Sequence, residues 1–386
     1  MFSAWPSPLR PLVLLSAPGL WAMLPGDPPP VPKAKAAFTD SSAGPLASTK
    51  RVAIANVTVS FQVSVGEQRT EKGSVLNFLS GGRNTKDSVS SVLSIPDLDP
   101  KLAQAITDEI YKNLQTDLSA SGFEVVPEAE LKAHPLYAKI LKSAGVTNPS
   151  KFANKEGDSL LVAPSSLKLY MPYALELGPW GNAPKGWINN WITAFGNSTT
   201  DGGPKVTGLS SSWDLPGLEV ELAQALNAHL LKATYVVTLG RTEAKIDHSF
   251  TGAMRYSGGG SANRELDKTV DAKGQAFAQV GLHAAQTRLA FRTASGVKKG
   301  QVAPRFQDAP PAKDGDVVVA LAEPLLGGND FLNMKAHAQE KRGLFSGGAG
   351  NQFTFDITIQ DADAYASEVV GLVGVAQKEL LSLLKR

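Results

Sequence analysis

The chain has 386 residues, 42% of them hydrophobic and 19% charged, which is enough apolar material for a packed core and room for one large domain or two. Lys plus Arg number 38 against 36 Asp plus Glu, and a net charge of +2 excludes a nucleic-acid binder working mainly through phosphate neutralisation. The absence of cysteine excludes disulfides, thiolate metal sites, thiol nucleophiles and a lipidated cysteine anchor.

Residues 1–24 read as a secretory signal: Arg10 precedes the apolar run Leu12-Val13-Leu14-Leu15, and Leu20, Trp21, Met23 and Leu24 follow. Pro11 and Pro18 break this stretch, which is too short for a bilayer-spanning helix. Cleavage is expected after Ala22 or within Ala34-Lys35-Ala36, the alternative being an irregular leader with an internal start at Met23. No later segment holds the ~18 uninterrupted apolar residues of a membrane helix. Ten of the 25 prolines fall in the first 50 residues, and Pro28-Pro29-Pro30-Val31-Pro32 predicts an extended, disordered linker over 25–49.

The folded part is expected from about Lys50. Residues 56–65 alternate without error, placing Val57, Val59, Phe61, Val63 and Val65 on one face of a strand. The Gly-, Ser- and charge-rich 30 residues that follow predict a long loop or irregular hairpin. Asp99-Pro100 opens a helix with an apolar stripe at Leu102, Ile106, Ile110, Leu114 and Leu118, and Gly122 ends it. A short strand at Phe123–Val126 stops at Pro127, and a helical segment over 128–144 is interrupted by Pro135. Residues 160–171 predict extended structure. Residues 178–216 are irregular and hold Trp180, Trp187, Trp191 and Trp213; of these Trp187 and Trp191 share a helical face with Ile188, Ile192 and Phe195.

A helix over about 218–231 leads into a strand at Thr234–Gly240. The echo of Leu102-Ala-Gln-Ala-Ile106 in Leu222-Ala-Gln-Ala-Leu226 raises the option of a duplicated helix–strand unit. The last third predicts strands at Ala276–Ala284, Thr287–Arg292, Val317–Ala322 and around Phe353, Phe355, Ile357 and Ile359. Asp361 or Asp363 caps a final helix with the stripe Tyr365, Val369, Leu372, Val373, Ala376, Leu380 and Leu383. The fold class expected is α+β, with helices packed on a twisted, mixed and mainly antiparallel sheet, two α/β units being the variant. Residues 50–250 would form an α/β domain, and 251–386 a strand-rich segment ending in the C-terminal helix, in the same domain or a second one.

Candidate chemistry is sparse. Asp247-His248-Ser249 puts three triad residue types side by side, but strand neighbours point to opposite faces and cannot converge. Ser165/Lys168 and Ser295/Lys298 match Ser-x-x-Lys without the partner motifs that chemistry needs. Gly258-Gly259-Gly260 and Gly347-Gly348-Ala349-Gly350 lack phosphate-loop spacing and read as hairpin tips. His134, His229, His248, His283 and His337 are too far apart for a local metal motif. No enzyme, cofactor or metal is expected. Asn56-Val-Thr58 and Asn197-Ser-Thr199 are glycosylation sequons, meaningful only in a eukaryotic secretory path.

Ser121-Gly122-Phe123-Glu124-Val125-Val126-Pro127-Glu128-Ala129-Glu130-Leu131, after an aliphatic strand and an amphipathic helix, resembles the periplasmic unit of the CsgG-like curli-transport proteins and their relatives among lipoprotein cofactors of cell-wall synthases. Ala233-Thr234-Tyr235-Val236-Val237-Thr238-Leu239-Gly240 is similar to that group's Ala-Asp-Tyr-Val-Val-x-Gly strand. The chain departs from the secretion channels in lacking the lipidated Cys and two clear membrane-inserting hairpins. The resemblance implies a periplasmic or secreted cell-envelope protein acting in assembly, secretion or surface organisation through protein–protein contacts. Its partners would be other envelope proteins or further copies of itself, with peripheral membrane association and no nucleic acid. The alternative is a glycan- or ligand-binding module whose contact residues are Trp180, Trp187, Trp191, Phe195 and Trp213.

Overall fold

A computed structural model describes residues 34–38, 46, 49–71, 87–154, 157–170, 215–251, 267–284, 286–293, 317–337, 340–343 and 349–385. All of them fall in one compact unit, Val31–Arg386.

The centre of the fold is β2 (Arg51–Gln62), buried on both faces along nearly its whole length. Strands in that position need helices on both sides. On one flank β2 pairs in parallel with β8 (His229–Thr251), which continues antiparallel to β10 (Arg288–Arg292), then β11 (Val317–Leu321) and finally β1 (Ala34–Phe38). On the other flank it pairs antiparallel with β7 (Gly157–Val162), which pairs with β6 (Ser150–Asn154), while the short β5 (Glu124–Val125) joins β2 in parallel. β1 lies within the stretch expected as linker, so ordered pairing begins upstream of Lys50.

The alternation in β2 has a phase break. A bulge between Ile54 and Asn56 puts Val52 and Ile54 on the same face as Val57, Val59 and Phe61. Val63 stands between strands: its N–H donates to the Asp158 carbonyl and its own carbonyl accepts from Ile95, so the chain turns there into a second sheet. That sheet has the order β13 (Leu332–Ala336), β15 (Ala349–Ile359), β4 (Asp87–Ser94), β3 (Ser64–Glu71), with β14 (Glu340–Gly343) also on β15. β3 and β4 are antiparallel, and β15 runs parallel to β4. The fold is therefore α+β, on mixed and mainly antiparallel sheets.

Helix α1 (Pro100–Ala120) starts where Asp99 accepts from the Lys101 N–H. It ends at Gly122, whose φ of +85° lets the Gly122 and Phe123 amides reach back to the Ser119 and Leu118 carbonyls. Its stripe packs on one sheet face together with α5 (Ala362–Ser382), capped by Asp361 through the Ala364 N–H. α2 (Glu128–Ala133) and α3 (Pro135–Ala144) divide at His134, whose Nδ1 accepts from the Leu136 N–H, with Pro135 opening the second helix. With α4 (Leu215–Ala225) they cover part of the opposite face, around Ala53, Ala55, Tyr137, Ile140, Leu222 and Leu230. α1 and α4, whose sequences echo each other, thus sit on opposite faces.

The strand expected to stop at Gly240 does not stop. β8 runs on to Thr251 and forms a long ribbon with β9 (Asp267–Leu282), and β12 (Leu325–Leu326) pairs with the core end of β9 at Gly281 and Leu282. Gly240 sits at the register shift between Thr238 and Gly240 with φ +143°, and a Cβ there would run into the Phe277 carbonyl oxygen.

Candidate functional site: a polar row system on the α4 face of the central sheet

Leu289 and Phe291 point into the α1/α5 core, so Arg288, Ala290 and Arg292 face the α4 side. Leu231 and Ala233 likewise face α1 and α5, leaving Lys232 and Thr234 on the α4 side. Strand register then aligns two rows across the sheet. One is Asn56–Lys232–Ala290–Val318; the next is Thr58–Thr234–Arg288–Ala320. Asn56, Thr58, Lys232, Arg288 and Arg292 are all buried.

The first row is anchored by α4. Leu215, Glu219, Leu222 and Leu226 recur at helical spacing, which carries Glu219 along the buried stripe onto the sheet. Its carboxylate, 0% exposed, accepts from Lys232 Nζ at 2.9 and 3.1 Å, from Arg292 Nη2 at 3.0 Å and Nε at 3.1 Å, and from the Tyr170 hydroxyl at 3.3 Å. Burial and the neighbouring carboxylate push the Tyr170 hydroxyl well above its ordinary range, so it donates as a neutral phenol. Asn56 Nδ2 donates to the Tyr170 carbonyl at 2.7 Å, while its buried Oδ1 has no partner. A sequon asparagine held this way, 3% exposed, cannot accept a glycan. The Glu219 group joins helix to sheet; a carboxylate clamped by two cations is a poor general base.

Two other polar groups carry chemistry-bearing residue types. His337 Nε2 lies 2.6 Å from Asp356 Oδ2, and the Ser94 hydroxyl donates to Asp356 Oδ1 at 2.7 Å. Here the carboxylate sits between hydroxyl and imidazole, whereas nucleophile activation needs the imidazole in the middle. Glu128 accepts from Lys132, Tyr111 and Ser166. Partial burial opposes its ionisation, yet these three bonds hold it below the ordinary carboxylate range, as suits a helix-start anchor rather than an acid catalyst.

Asp247, His248 and Ser249 are consecutive on β8, opposite Asp271, Val270 and Thr269. Ser165 and Lys168 are exposed in the loop after β7, with the Ser165 N–H on Asp108. His229 is buried: its Nε2–H donates to the Thr49 carbonyl, its Nδ1 has no partner, and burial draws its pKa below the usual value. Among the described residues no group of three His, Asp or Glu could hold a metal ion, and no helix is long and apolar enough to cross a membrane.

Trp180, Trp187, Trp191, Phe195 and Trp213 lie outside the described residues, as do the leader 1–24, Ser295, Lys298, Asn197 and Gly258–Gly260. Sequence reasoning missed Glu219, Lys232, Arg288 and Arg292. The signal for Glu219 was present, a carboxylate at a stripe position, but the strand cations carried none: cations alternating with apolar residues ordinarily mark a solvent face. Compared with known protein families, curated proteins and solved structures, the chain matches none.

Proposed function

We propose that this chain is a non-catalytic cell-envelope protein, periplasmic or secreted, that works in assembly, secretion or surface organisation by binding copies of itself or other envelope proteins. The observation that carries this reading is the β8–β9 ribbon. β2 leaves β8 at Val237 and β12 leaves β9 at Gly281. Beyond those points neither outer edge of the ribbon is paired by another described strand. Near the core these edges are partly occupied, with the Leu239 N–H donating to Gln62 Oε1 and the Val280 and Ala278 carbonyls accepting from the Gly327 N–H and Asn329 Nδ2; farther out, unpaired strand edges of this kind accept an added strand.

The ribbon is braced for this use. Its inner face rests on the second sheet: the Ser91 hydroxyl donates to the Gln275 carbonyl, and Gly274 lies against the Phe353 ring. Its outer face is polar, with Arg241, Lys245, Lys273 and Gln275 exposed and Arg241 stacked 4.7 Å above the Phe277 ring. Supporting it from the sequence are the signal-like start and the resemblance to CsgG-like periplasmic units.

The test is native mass on the full chain and on a shortened ribbon. Lys245 and Lys273 are directly opposite, so replacing 245–273 by Asn-Gly closes the ribbon with a two-residue turn. The full chain is expected at a defined multiple of 40.7 kDa, or bound to an envelope fraction, with the shortened chain folded but monomeric and unbound. A monomeric, unbound full chain, or identical behaviour of the two, overturns the reading.

A further inference from the structure

The row beside the Glu219 group has a different character. Arg288 is 8% exposed, yet no described residue accepts a hydrogen bond from its guanidinium, and no carboxylate stands against it. Glu219 is engaged one row away by Lys232, Arg292 and Tyr170. Thr58 and Ser60, each 8% exposed, and Thr234 present hydroxyls on this same side of the sheet, and no described residue bonds to them either. Ala320, the neighbour of Arg288 on the other side, adds only a methyl group to the row. Burial draws the Arg288 pKa below its ordinary value, to about 10.

A buried cation without a partner is costly, and a bound countercharge would offset that cost. The guanidinium offers a planar fork of donors that fits two oxygens of one oxyanion, and the adjacent hydroxyls can donate to a third. We propose that the row Thr58–Thr234–Arg288 is a binding site for a small oxyanion, the carboxylate or phosphate group of a ligand, held bidentate by Arg288 with Thr234 and Thr58 beside it. Low local dielectric strengthens that pairing, while Lys232 and Arg292 balance Glu219 and keep its charge from repelling the anion.

The experiment follows thermal unfolding of the full chain in inorganic phosphate and, separately, in acetate, with sodium chloride holding ionic strength constant. One of the two anions is expected to raise the wild-type midpoint saturably, by about 3 °C. Which anion does so identifies the group. In R288M the midpoint without anion is expected to rise by about 2 °C, because an unpaired buried charge is gone, and the anion effect is expected to vanish. R288K keeps the charge but not the fork and should retain only a weakened effect. T234V leaves charge and fold in place and should raise the half-saturating concentration about tenfold. The T234V measurement decides the matter if R288M does not fold. No rise with either anion, the same rise in R288M, or an unchanged half-saturation in T234V would each overturn the proposal.

Discussion

Glu219 ties α4 to β8 and β10 through Lys232 and Arg292. It is fully buried and is the acceptor for both Lys232 and Arg292. Replacing one member of a buried ionic group leaves the others without countercharge, which costs about 3–5 kcal/mol. E219Q keeps the shape and removes the charge, so urea unfolding should show a loss of about 3 kcal/mol; a loss under about 1 kcal/mol would mean that the cations find other partners. His229 makes a second, pH-dependent case. Burial lowers its folded pKa below 6.5, so the unfolded chain takes up the proton first as pH falls. Its contribution to stability is therefore present above pH 6.5 and lost as pH drops toward the folded pKa. H229Q should flatten the difference in unfolding free energy between about pH 7.5 and about pH 5.5 relative to wild type; equal slopes in the two proteins would show that His229 is not the group responsible.

At the scale of elements, β8 matters most, because one strand serves the core and then the ribbon. Gly240 lies at the change-over, with a left-handed φ and no room for a Cβ beside the Phe277 carbonyl. G240A should destabilise by about 1–3 kcal/mol, and hydrogen exchange should rise in the ribbon before it rises in β2. Protection that falls evenly throughout would mean that ribbon and core unfold as one unit. Several elements were legible from local chemistry alone. Asp99-Pro100, the i+4 stripe and Gly122 bound α1 correctly, and Pro135 split α2 from α3. Gly240 was not legible as a bulge, because a glycine after a strand pattern is as consistent with an end as with a close backbone approach.

Over the whole molecule, the last helix closes the main core. Tyr365, Val369, Val373, Ala376 and Leu380 on α5 pack on the face shared with α1, and Gln377 donates to the Ile110 carbonyl and to the Tyr235 hydroxyl. Removing residues 361–386 should therefore expose that face and give a chain that binds a hydrophobic dye and has lost cooperative unfolding, even though the strands it covers are made elsewhere. A cooperative transition in the truncated chain would mean that α5 is an accessory layer.

What the sequence determined by itself is what local periodicity and caps can encode: the helices, most strands, and an α+β arrangement in which apolar stripes meet a sheet. Only the tertiary structure decided that β2 lies at the centre, that β15 runs parallel to β4, and that Lys232, Arg288 and Arg292 are buried. The physical reason is that burial of a strand's second face depends on what packs over it. Here α4 lies beside Lys232 and Arg292, 60 residues apart in the chain, and no window of neighbouring residues contains that fact.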